Sequence, residues 1–221
     1  MANYCVPEKG KAALLVISAQ RDYLRPGSPL HTKGAEGAVP VLRKLADGFR
    51  AENAPIYHSI RLYRPDGSNV DACRRQAVEE GMRVCMPGSP GAEVFDELKP
   101  DPATRLDPDH LLKGKPQALA PNEWVFYRPR WGAFHGTALE AALRKREITT
   151  LVVCGFSFST GLRATIYEAS ARDFRLVLIP DAVCCATEEA IKELGRIGIY
   201  LMTSDSCLKW LSGSGKAHAA A

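Results

Sequence analysis

Leu151-Val-Val-Cys-Gly-Phe-Ser-Phe-Ser-Thr-Gly-Leu-Arg-Ala-Thr-Ile-Tyr-Glu-Ala-Ser-Ala-Arg-Asp-Phe-Arg175 is the stretch that decides the fold. With Thr150, its first residues form a continuous apolar run of strand length, as a strand buried on both faces requires. Gly155 ends that run, and Thr160 to Arg172 reads as a helix. Phe174-Arg-Leu-Val-Leu-Ile179 then reads as a further strand. Strand, helix and strand in that order form the unit of a parallel sheet.

The same alternation extends in both directions. Upstream, Ala12-Ala-Leu-Leu-Val-Ile17 is a second fully apolar strand, followed by the loop Arg25-Pro-Gly-Ser-Pro29. Val39 to Ala51 places Val41, Leu42, Leu45 and Phe49 at helical spacing. Pro55-Ile-Tyr-His-Ser-Ile60 and Glu123-Trp-Val-Phe-Tyr127 read as strands, and Thr137 to Arg146 as a helix with Thr137 as its N-cap. Residues 65–121 are irregular and proline-rich, with one helical stretch near Asp71 to Gly81, and read as excursions over one end of the sheet. Downstream come a helix over Glu188 to Ile197, a strand Ile199-Tyr-Leu-Met202 and a helix over Asp205 to Leu211. The expectation is an α/β fold: a three-layer α/β/α sandwich, Rossmann-like, around a six-stranded mainly parallel sheet. A single domain spans 1–211, and the small, polar tail 212–221 is expected to be flexible.

Composition narrows the function classes. The 221 residues are 46% apolar and 24% charged, which suits a globular chain. Lys+Arg 29 against Asp+Glu 25 leaves +4, too mild and too evenly spread for a nucleic-acid partner. The apolar runs are strand-length, so no membrane partner is expected, and the first residues lack a signal-peptide pattern. A cytoplasmic location follows as an expectation. The seven cysteines include no C-x-x-C pair and the five histidines are scattered singly, so neither a disulfide framework nor a metal site is expected. No cofactor signature is present either, and most of the cysteines read as small core residues.

In sheets of this kind ligands bind beyond the carboxyl ends of the strands, at a switch point in strand order. That rule selects Ser18 and Gln20, His58 to Arg61, Arg128, Gly155 to Gly161, and Asp181 to Cys185.

Three segments together resemble the isochorismatase-like (cysteine hydrolase) superfamily. Leu14-Leu-Val-Ile-Ser-Ala-Gln-Arg-Asp-Tyr23 looks like the family's opening strand, which usually ends in aspartate, any residue, glutamine, a polar pair and an aromatic. Tyr127-Arg-Pro-Arg-Trp-Gly-Ala-Phe-His-Gly-Thr137 looks like its lysine segment. The stretch 151–175, continued by Pro180-Asp-Ala-Val183, looks like its nucleophile turn and the strand after it. The resemblance implies a chemistry of aspartate base, lysine and cysteine nucleophile. Residue by residue, it places Ser18 at the aspartate, Arg128 at the lysine and Gly161 at the cysteine. Ser18 is no base near neutral pH, Arg128 keeps a charge without a usable proton, and Gly161 offers no nucleophile. The ordinary hydrolytic reaction is therefore not expected. Relatives also commonly associate, so the resemblance implies a homo-oligomer.

The binding apparatus is expected to survive. Backbone amides of Thr160, Gly161 and Leu162 open a helix and could hold an anion, and Gly161 in place of a side chain adds room. Phe156-Ser157 falls where relatives have a cis peptide. Tyr23, Tyr57, Tyr63, Trp131, Phe134, Phe156 and Phe158 are expected to line an apolar mouth suited to an aromatic or polyketide-like small molecule. Ser18, Arg128 and His58 form the candidate catalytic set. Gln20, Tyr23, Trp131, Phe134, Phe156, Phe158, Ser159, Thr160, Gly161 and Leu162 form the candidate binding set. Plainer readings compete: His58 as a satisfied buried histidine, Asp22 as a turn cap or partner of a nearby arginine, Ser159 as a helix cap, Arg128 as an ion-pair member. The resulting expectation is a cofactor-free enzyme acting non-covalently, by cyclisation, dehydration, isomerisation or ring opening. The alternatives are a non-catalytic binder, or a residual hydrolase using Cys184 or Cys185.

Overall fold

The computed structural model describes residues 3–217. Its strands are β1 Ala12–Ile17, β2 Ile56–Ile60, β3 Gln117–Ala120, β4 Glu123–Tyr127, β5 Thr150–Gly155, β6 Arg175–Val183 and β7 Tyr200–Leu201. They form one seven-stranded sheet in the order β3-β4-β2-β1-β5-β6-β7. All neighbouring pairs run parallel except β3 and β4. The six expected strands are present, and β3 is the addition. It is a partly exposed edge strand, Gln-Ala-Leu-Ala, set between Pro116 and Pro121, with neither an apolar run nor a clean alternation. Its antiparallel backbone ladder to β4, not its side chains, defines it.

The helices are α1 Arg21–Leu24, α2 Ala35–Ala51, α3 Ala72–Glu79, α4 Pro108–Leu112, α5 Leu139–Lys145, α6 Arg163–Ser170, α7 Glu188–Arg196 and α8 Ser204–Ser212. Two buried clusters sandwich the sheet. Ala12, Leu14 and Val16 face Leu42, Leu45 and Phe49 of α2 and Trp210 of α8. Ala13, Leu15 and Ile17 face Leu139 and Leu143 of α5, Ile166 of α6 and Leu194 of α7. Successive residues of β1 thus enter opposite cores, which is why the strand is apolar throughout.

Several boundaries differ from the sequence expectation: α2 begins at Ala35 and not Val39, and β6 runs on to Val183 and not only to Ile179. The helix expected from Thr160 is a π-helical turn, Phe158–Leu162, leading into α6. Thr137 is not the N-cap of α5: Ala138 holds that position, although the Thr137 hydroxyl accepts the Leu139 N–H at 3.3 Å. The last helix runs through Ser212, so the expected tail 212–221 begins inside it, and residues 218–221 lie outside the described residues. Among the described residues no helix is long and apolar enough to cross a membrane.

Candidate functional site

The chain leaves β1 toward β2 on one side of the sheet and returns to β5 on the other, so the switch point lies at the carboxyl end of β1. Here the strands come into close contact. Phe156 N–H donates to Ile17 C=O at 2.7 Å, Ser18 N–H to Ser59 C=O at 2.9 Å and Arg128 N–H to Ile60 C=O at 3.0 Å. Gly155 allows this approach: its φ is +112°, and a Cβ there would lie 2.2 Å from the Ile17 carbonyl oxygen. Ser18 also turns the chain through the left-handed region, at φ 53°. The peptide Phe156–Ser157 is cis.

These contacts bring Ser18, Arg128 and Gly161 together, as the motif alignment expects. Arg128 occupies the centre. Its Nε donates to Trp131 C=O at 3.0 Å, and Nη1 to Ser59 C=O at 2.6 Å and Ser59 Oγ at 3.3 Å. Nη2 donates to Ser18 Oγ at 2.5 Å. The space that Gly161 leaves is not an opening, because Nη2 would lie 2.6 Å from a Cβ at position 161. The larger arginine fills the volume beside the missing side chain.

Arg128 is 2% exposed, yet every one of these acceptors is neutral. Among the described residues no carboxylate lies within ion-pair distance of it, so the surface ion pair of the plainer reading does not form. Burial pushes the guanidinium down to about 10, with the nearby Arg61 acting in the same direction and Tyr23 against it. Arg61 itself is neutralised. It meets Asp71 at 2.6 Å, donates to the carbonyls of Arg128 and Arg130 at 2.9 and 2.6 Å, and lies over the Tyr63 ring. That pair, which the sequence marked only as a strand end, braces the backbone on both sides of Pro129.

The remaining candidates separate. His58 points to the opposite face from Ser59 because the two are adjacent on β2. Its Nε2 lies 2.7 Å from Glu123 Oε1, and Glu123 also takes two N–H bonds from Arg50 of α2. His58 therefore belongs to a buried structural network and not to the Arg128 cluster. Gln20 is spent on the backbone: Nε2 donates to Arg61 C=O and Ala92 C=O, and Oε1 accepts Arg61 N–H, each at 2.8 Å. Asp22 accepts Cys85 N–H at 2.5 Å and meets Arg25 at 3.4 Å, matching the turn-and-arginine reading.

The expected aromatic mouth is divided between the two cores. Phe156 packs against Phe95 with ring centroids 5.8 Å apart, and Phe134 against Phe174 at 5.6 Å. Phe158 is buried under Arg163, and Tyr23 is buried with its phenol pushed up to about 12, mainly by desolvation. Only Trp131, 39% exposed, faces solvent to any extent. Ser159 is exposed, and Thr160 is half-buried. Two of the three expected anion-binding amides are already engaged, Thr160 N–H and Leu162 N–H both donating to Ser157 C=O at 3.3 and 3.4 Å. Ser18, Arg128 and Gly161 are all buried, and five cavities of about 180 to 470 Å3 lie elsewhere, lined by other residues. The sequence expectation of an open apolar pocket here is corrected: the switch point is filled.

Fold and site together define an α/β/α protein with a buried, hydrogen-bonded arginine at the switch point, between the end of β1 and the turn after β5. The Isochorismatase domain family model matches residues 12–206, and the chain belongs to that family. It is 30% identical over 177 residues to an uncharacterized isochorismatase family protein, YecD, from Escherichia coli O157:H7, covering 80% of this chain and 81% of that one. It is 25% identical over 197 residues to a probable inactive nicotinamidase from Arabidopsis thaliana, covering 86% of this chain and 91% of the relative. Among solved structures, an isochorismatase family protein from Desulfovibrio vulgaris subsp. vulgaris str. Hildenborough superposes with a TM-score of 0.78 at 30% identity, over 91% of this chain and 98% of that one.

Proposed function

We propose that this protein is a non-hydrolysing member of the isochorismatase family, in which the position of the covalent nucleophile has become a buried, hydrogen-bonded arginine centre. One observation carries the reading: Arg128 Nη2 stands 2.6 Å from where any side chain on Gly161 would begin. A thiol at 161 and the present arginine exclude each other. Burial also counts against Cys184 and Cys154 as replacement nucleophiles, pushing the Cys184 thiol up to about 11 and the Cys154 thiol further still. The similarity to a probable inactive nicotinamidase points the same way.

The test is ammonia release from nicotinamide and a panel of simple primary amides. The wild type is expected to release none above the blank. The triple variant Ser18→Asp, Arg128→Lys, Gly161→Cys, which restores the family's catalytic set, is expected to gain measurable hydrolysis. Steady release by the wild type overturns the reading.

A second reading rests on the missing counter-charge. A buried guanidinium with only neutral partners is expensive to maintain, and an anionic ligand would relieve it. Under this reading the switch point, filled in this structure, opens to admit a small aromatic or polyketide-like metabolite, which Ser18 and Arg128 then bind and turn over in a non-covalent step by orientation and hydrogen bonding. Depletion of the same compound from a metabolite mixture by the wild type, and not by Arg128→Lys, would favour it over the first.

A further inference from the structure

A cavity of about 280 Å3 lies at the other end of the sheet from Arg128, between the first residues of β2 and β4 and the last turn of α5. Tyr57, Trp124 and Phe126 line it from the sheet, and Lys145 and Arg146 from the helix end. Tyr57 and Trp124 are paired in register, and their rings stack with centroids 5.4 Å apart. Phe126 sits 5.7 Å from Tyr57 in a tilted arrangement.

Two features of this cavity call for a ligand of definite chemistry. Tyr57 is 1% exposed, and its hydroxyl has no hydrogen-bond partner among the described residues. A buried phenol in that state is unfavourable and is normally answered by an acceptor. Burial also holds the phenol above its ordinary value, so it remains an O–H donor at neutral pH. Arg146 lies over the Trp124 ring at 4.2 Å and donates to the Asn122 side chain at 3.1 Å. Among the described residues neither Arg146 nor Lys145 has an acidic partner, although Arg144 beside them pairs with Glu140. The negative end of the α5 dipole favours cations there, but it does not account for stacked aromatic rings or for an orphan phenol beneath them.

We propose that this cavity binds a small single-ring aromatic carboxylate. The ring would lie against the Trp124 and Tyr57 pair, and the carboxylate would receive N–H bonds from Arg146 and the O–H of Tyr57. The volume is at the low end for small-molecule sites, which suits one ring and its substituents. A neutral aromatic would fill the space, and one with a carbonyl could accept from Tyr57, but it would bring no counter-charge to Arg146. The proposal is independent of the reading of the Arg128 centre.

The probe is benzoate, titrated into the full chain by calorimetry and by tryptophan fluorescence, with benzamide as the neutral comparator. Saturable one-to-one binding of benzoate is expected, with benzamide at least about tenfold weaker. Arg146→Gln should weaken benzoate about tenfold and Tyr57→Phe by a few-fold, both with little effect on benzamide. Arg146 is exposed and Tyr57→Phe conserves the ring, so both variants should fold, which circular dichroism would verify. Absence of saturable binding, equal binding of benzoate and benzamide, or benzoate affinity unchanged in both variants would each overturn the proposal.

Discussion

Arg128 Nη2 lies 2.6 Å from the point a Cβ on Gly161 would occupy, so the residues at these two positions are chosen together. Arg128 cannot simply swing aside, because Ser18, Ser59 and Trp131 all accept hydrogen bonds from it. Gly161→Ala should therefore destabilise the chain by about 1–3 kcal/mol, the usual cost of overpacking a filled core. Combined with Arg128→Lys, whose ammonium lacks the guanidinium fork, the same change should cost clearly less. Urea unfolding of the two single variants and the double variant closes the cycle. Additive costs would mean that the two sites do not share this volume.

Among the described residues Ser18 supplies the only side-chain hydroxyl that Arg128 Nη2 reaches, at 2.5 Å. Ser18→Ala removes an acceptor from a buried charge, and a hydrogen bond to a charged group contributes about 1.5–3 kcal/mol. The expected outcome is a loss of that order in denaturant stability with an unchanged m-value, since nothing new is exposed. Stability equal to the wild type would show that the Arg128 centre does not depend on Ser18.

The His58–Glu123–Arg50 network should appear in acid. Burial on its own would raise the Glu123 carboxyl, but hydrogen bonds from His58 and Arg50 outweigh it and leave the group below its ordinary value of 4.5. A carboxyl depressed in the folded state adds stability that is complete above its unfolded value and is lost as pH falls through the folded one. The urea midpoint should therefore drop as the pH goes below about 4.5. Glu123→Gln, which leaves Arg50 and His58 without their carboxylate, should begin about 3 kcal/mol lower and show a flatter acid limb. Parallel curves for the two proteins would remove Glu123 from the acid response.

The parallel strands were readable because strands buried on both faces are mostly apolar: Ala12–Ile17 and Thr150–Gly155 are buried without exception, and apart from Thr150 they carry no polar side chain. β3 was not, because its residues are partly exposed and its backbone ladder leaves no side-chain trace. The meeting of Ser18, Arg128 and Gly161 was readable from motif order, since strand ends in a doubly wound sheet must converge at the switch point. The closure of that point was not, because residue type does not tell which core an aromatic ring enters. Phe156 joins the α2 side, while Phe134 and Phe158 join the α5–α6 side. His58 could have been assigned better: strand alternation alone sets it opposite Ser59, and Ser59 is the neighbour that meets Arg128.

The thiols offer a test of the proposed function that needs no substrate. Thiolate, not thiol, reacts with an alkylating agent, so reactivity follows exposure and pKa. Burial pushes Cys184 up to about 11 and Cys207 up to about 12, and Cys85 and Cys154 lie higher again. Cys73 and Cys185 are exposed, and Cys5 is half-buried. At about pH 7.5, iodoacetamide should label Cys73 and Cys185 first and Cys5 more slowly, with Cys85, Cys154 and Cys207 protected until the chain unfolds. Peptide mapping at successive times reads the order directly. A hydrolase working through Cys184 would instead need a thiolate there, and that residue would outpace the exposed pair. Fast, selective alkylation of Cys184 in the folded protein, or of Cys185 well ahead of the likewise exposed Cys73, would therefore count against the non-hydrolysing reading, whereas equal labelling of Cys73 and Cys185 with Cys184 behind them supports it.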